Sequence, residues 1–172
     1  MNTVFLGVRV LHVLLGAAWL GTAVVLSFFV MPAIQSVGPD GGKIVVALIR
    51  RRMDAFIASV SGLTVLSGLY LYWVITDGFS AGPSSTLHGR VIGAGAILGL
   101  AAAIVGGSVV ARNMKKVVAL MTQAAGTADA SARSSLMAQA EQCRKKAGAG
   151  GRTVAILVIV TVIVMVVGAH FV

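Results

Sequence analysis

The chain has 172 residues, 58% of them hydrophobic and only 11% charged, with a mean hydropathy of +0.96 and a formal net charge of +9. No ordinary soluble domain of this size holds so little charge, which excludes a single water-solvated core. In a soluble protein the positive charge would point to nucleic acid; here its placement along the chain points to a bilayer, and no nucleic-acid partner is expected.

Crossing the hydrocarbon takes about 20 mostly apolar residues per helix, because each backbone amide must be satisfied within its own segment. Four stretches qualify, roughly residues 4–32, 54–75, 90–111 and 153–172, with 112–151 as a long connection. The expected fold is all-α: a single transmembrane domain, 1–172, forming an integral membrane four-helix bundle. Lys43 and Arg50, Arg51 and Arg52 lie between the first two spans. Arg112, Lys115, Lys116, Arg133, Arg144, Lys145, Lys146 and Arg152 lie between the last two. Only Arg9 and Arg90 fall on the opposite side. The positive-inside rule then makes both basic connections cytoplasmic, with the two termini and the 77–89 loop outside, as in a bacterial-type inner membrane. Most of these charges are expected to be solvated near anionic headgroups. Span one lacks a basic leading region and its apolar run outlasts a signal sequence, so it is read as retained.

In chain order, span one carries Arg9, His12, Gly16 and Trp19 on one face. Gly38, Pro39 and Asp40 form a turn signal, and from Lys43 a short interfacial helix approaches span two. Span two bears a polar stripe of Ser61, Thr64, Gly68 and Tyr72, whose hydroxyls are expected to bond backbone or a neighbouring helix. Tyr70, Tyr72 and Trp73 mark its outer end as an aromatic belt. Pro83 should keep the outer loop non-helical. Span three presents Gly95, Gly99, Ala103 and Gly107 every fourth residue, a stripe for close helix approach. Beyond it, a cytoplasmic helical hairpin is expected, broken at Gly126, resuming over 131–147, and ending in a glycine hinge at 148–151. The lone Cys143 offers neither a disulfide nor a CxxC-type metal site.

The three histidines, His12, His88 and His170, are the candidate metal or haem ligands. At 1.5 Å per residue from the inner ends of their helices, they stand about 30, 36 and 26 Å up, converging on one outer layer. Gly16, one turn from His12, is read as room for a flat macrocycle. Arg9 and Arg90 are candidate partners for carboxylates such as haem propionates.

The stretch from Leu11-His12 through Gly16, Trp19 and Gly21, then a basic segment and Leu63 to Trp73 with Gly68, resembles a superfamily of small membrane proteins. It includes the copper-resistance D proteins and the HemJ-type protoporphyrinogen oxidases, and the resemblance covers about the first half of the chain. It implies a four-helix membrane protein handling haem b or copper, with His12 as the functional position and Trp19 its neighbour. Copper sites usually draw on methionine and histidine clusters, and the sequence has none, so copper is the alternative. The expected function is therefore b-type haem binding near the outer face, in electron transfer or redox chemistry. His12 would be one axial ligand, His170 or His88 the other, and a quinol or a periplasmic redox protein the partner. A cofactor-free subunit of a membrane complex, or a homo-oligomer, is the second reading.

Overall fold

The structure, a computed structural model, describes residues 3–38 and 41–171. Among them six helices account for nearly all the chain, and there are no strands. They are α1 (Thr3–Ser36), α2 (Gly41–Arg50), α3 (Met53–Ile75), α4 (Ala81–Ser85), α5 (Leu87–Gly126) and α6 (Ala130–Gly168), with a 3₁₀ turn at Ala169–Phe171. Four of these, α1, α3, α5 and α6, are long and apolar enough to cross a membrane. The surface agrees: Phe29, Ile97 and Val166 are each at least 66% exposed, part of an outward apolar coat of the kind a bilayer covers. The Pro39–Asp40 part of the expected first turn, and the last residue of span four, lie outside the described residues.

Side-chain pairings fix the bundle order. Gly16 meets Thr64 and His12 meets Gly68, so α1 and α3 are antiparallel neighbours. Tyr72 reaches the Gly89 carbonyl from α3 to α5. Met165 packs on Gly95 and Thr161 on Gly99, which runs α6 antiparallel along α5. Ser27 beside Gly151 closes the ring from α6 to α1. Adjacent helices thus alternate in direction, and Thr3 and Phe171 lie at the same end of the bundle, the termini end. Trp19, Val60, Ala102, Val154 and Val158, from all four long helices, make the central core.

Several boundaries differ from the sequence-based expectation. Span one runs on to Ser36 through a π-helical segment at Leu26–Val30, and span three continues through a second, Gly106–Ala111, into residues 112–126. The break at Gly126 is present, but the glycine hinge at 148–151 is not: α6 is one unbroken helix of 39 residues. Its glycines serve close packing instead. A Cβ at Gly150 would stand 2.9 Å from Val109 and one at Gly151 3.1 Å from Ser27, so the helix keeps its hydrogen bonds and uses glycine to admit its neighbours. Pro83 also proves compatible with helix, as the third residue of the single turn α4, where its missing N–H would have had no partner.

The short helix α2 is not simply laid on a membrane surface. Val45 is fully buried with Ile34 of α1 and Val117 of α5, and Met121 covers Gly42. One basic residue departs from headgroup solvation: Arg144, 5% exposed, forms an ion pair with Glu141 and donates to the Gly38 carbonyl at 3.4 Å. It ties α6 to the end of α1.

Candidate functional site

His12 is held by α3. A carbonyl can only accept, so Nδ1 carries the proton and donates to the Thr64 carbonyl at 2.9 Å, with Ser67 Oγ a second acceptor at 3.0 Å. The Ser67 hydroxyl is itself turned to the Leu63 carbonyl at 2.7 Å, and Thr64 Oγ1 to that of Val60 at 2.8 Å. The imidazole lies against Gly68, where a Cβ would stand 2.8 Å from its Cε1. Glycine is thus required for the ring to reach the backbone of α3. With Nδ1–H engaged, Nε2 is the acceptor; it has no hydrogen-bond partner among the described residues and is not sealed by protein. An imidazole fixed at Nδ1 by a carbonyl with Nε2 open is the arrangement that second-shell bonding gives a metal-binding histidine.

His88 is arranged in the same way, its Nδ1 donating to the Gly168 carbonyl at 2.9 Å. That bond joins the start of α5 to the end of α6 at Gly168, two residues before His170, which is exposed in the terminal 3₁₀ turn. His12 sits deeper. Gly68, which its ring touches, is one turn, about 6 Å, inside Tyr72, and the Tyr72 hydroxyl meets α5 at Gly89 and Gly93, below His88. The three histidines therefore occupy two levels, His88 with His170 at the rim and His12 at least a turn beneath. Arg9 and Arg90 are both exposed near the termini end, without ion pairs among the described residues.

Gly16 and Trp19 have a different surround from the one expected. Gly16 faces α3, with the Thr64 methyl 3.8 Å from where a Cβ would stand, an ordinary van der Waals contact between the two helices. Trp19 is 5% exposed in the central core, two turns deeper than His12. The residues missed in the sequence are Ser67 and the Thr64 carbonyl. The four-residue rhythm of Thr64 and Gly68 in span two was their signal, a polar stripe awaiting a partner of matching depth.

Among the described residues, no three His, Cys, Asp or Glu side chains gather as a metal cluster. No family model matches the chain, and neither a curated protein nor a solved structure proves similar to it.

Proposed function

We propose that the chain is a membrane redox protein that holds one b-type haem through His12, in the half of the bundle nearer its termini. The observation behind this reading is the His12 imidazole itself: an ionisable ring at membrane depth, locked through Nδ1 to the Thr64 carbonyl, seated on Gly68, and open at Nε2. The resemblance of the first half of the chain to the copper-resistance D and HemJ-type superfamily points the same way. When bound, haem would supply one-electron chemistry. His12 would hold the group through Nε2, and Thr64 and Ser67 would fix its tautomer and ring orientation. His88 and His170, at the rim, are the candidates for a second ligand. Arg9 and Arg90 would pair with carboxylates at the same end. The excess of basic residues at the opposite end orients the termini, and with them the haem, to the outer face of a bacterial-type inner membrane. A quinol or a periplasmic redox protein would exchange electrons there.

The competing reading, a cofactor-free subunit docked through its glycine stripe and basic hairpin, is less favoured because Met165 and Thr161 of α6 already cover Gly95 and Gly99. Haem and metal quantification on protein purified from haem-replete cells tests the proposal. About one haem b per chain, with iron and no copper, is expected; copper without haem would assign the site to copper, and neither would leave the subunit reading.

A further inference from the structure

The half of the bundle away from the termini carries a partly open cavity of about 540 Å³ to which α1, α2, α3, α5 and α6 all contribute. It extends from the level of Trp19 and Leu66 to that of Met53, Asp54 and Lys115, toward the end of the bundle away from the termini. From Met53 to Leu66 that is about 20 Å of helix rise. The volume falls within the range of about 300–1,000 Å³ usual for small-molecule sites, and the wall is mostly apolar, as such sites are. Both π-helical segments border it, through Leu26 and Ser27 on one side and Gly106 and Gly107 on the other. Such segments recur at functional sites because they turn side chains and carbonyls out of the regular ladder.

The polar groups on this wall distinguish it from a packing fault. Trp19 is 5% and Ser27 6% exposed, and Thr22 lies between them; all three line the cavity on one helix. None of the three side chains makes a hydrogen bond among the described residues, and none is walled in by protein. A threonine in a helix ordinarily turns back to its own carbonyls, as Thr64 and Thr161 do here. Trp19 and Thr22 are three residues apart, so their Cβ atoms are neighbours at about 5–6 Å. The cavity therefore offers a pair of donors at its deep end and waits for acceptors. Water supplies them poorly in a space this apolar, and a phospholipid acyl tail supplies none.

We infer that this cavity binds a membrane-dissolved isoprenoid quinone, its flat apolar ring set between α1 and α3 with carbonyl oxygens accepting from Trp19 Nε1–H and the Thr22 hydroxyl. The isoprenoid tail leaves past Gly62 and Gly107, where a Cβ would meet nothing within 4 Å. The site is separate from His12, two turns away along α1, and its test does not depend on whether haem is present.

The test uses the full-length protein in phosphatidylcholine nanodiscs and a short-tailed azidoquinone as photoprobe, with labelled peptides mapped by mass spectrometry. Saturable labelling of peptides containing residues 19–31 or 53–66 is expected. Trp19→Phe and Thr22→Val, each deleting one donor, should raise the half-saturating concentration about three- to tenfold, the worth of one net hydrogen bond. Gly62→Leu, which fills the open space without touching either donor, should abolish labelling. An alkylbenzene of the same tail length, lacking carbonyls, should fail to compete. Non-saturable labelling, labelling unchanged in all three variants, or equal competition by the alkylbenzene would overturn the inference. Helicity measured by circular dichroism identifies any variant that fails to fold; the isosteric Thr22→Val then decides.

Discussion

Gly68→Ala isolates the contact on which the His12 site depends. The added methyl would stand 2.8 Å from His12 Cε1 and 3.4 Å from Nδ1. Carbon atoms rest at about 3.5–4.0 Å, so the ring must withdraw by roughly 0.7 Å or more. A displacement of that size carries the 2.9 Å bond to the Thr64 carbonyl beyond hydrogen-bonding range. An interhelical hydrogen bond in a membrane protein is worth about 0.6–1.7 kcal/mol, and overpacking costs about 1–3 kcal/mol, so the exchange should destabilise the bundle by about 2–4 kcal/mol. Gly62→Ala, on the same helix, is the control: its methyl would meet nothing within 4 Å, and both exchanges share whatever helix propensity alanine adds, at most about 1 kcal/mol. Reversible unfolding in mixed micelles, driven by dodecyl sulfate and followed by helicity, should show a lowered midpoint for Gly68→Ala only. Equal midpoints for the two variants would refute the reasoning, because the His12 ring would then not be seated on Gly68.

Three further perturbations report on other contacts. His88→Ala removes the bond to the Gly168 carbonyl, worth about 0.6–1.7 kcal/mol, and should raise amide exchange at residues 166–171 while leaving the centre of α6 protected. Arg144→Ala deletes a buried guanidinium that caps the end of α1 and leaves its volume empty; a loss of about 2–4 kcal/mol and faster proteolysis across residues 37–42 are expected. Spin labels at residues 141 and 156 should give one narrow distance distribution centred near the roughly 22 Å rise of 15 helical residues. A broad or bimodal distribution would restore the glycine hinge that the continuous α6 denies.

What the sequence displays is what a bilayer imposes one segment at a time. Long uncharged runs gave the four spans, the four-residue spacing of Gly95 and Gly99 gave a packed helix face, and the hydroxyls of span two pointed to bonds with backbone. Residues 148–151 read as a hinge in the sequence because glycine breaks helices that are solvated. In this bundle Gly150 and Gly151 are covered by Val109 and Ser27, and neighbouring helices hold the backbone that glycine would otherwise release. Arg144 reads as one more headgroup charge until the fold sets it against the Gly38 carbonyl. The histidines show the same division. Counting rise per residue brings all three toward one end, but only pairing of α1 with α3 reveals His12 a turn below the others with a defined tautomer. The cavity has no local signal at all: Trp19, Thr22 and Ser27 look like ordinary core positions until five helices leave a space beside them.

The central claim, that His12 is a haem ligand, is tested most directly by the reduced-minus-oxidised optical spectrum of the protein purified from haem-replete cells. A Soret band with sharp reduced α and β bands is predicted for the wild type and for Gly62→Ala, and their loss in a folded His12→Ala protein. A colourless wild-type protein, or a spectrum unchanged in His12→Ala, would contradict it.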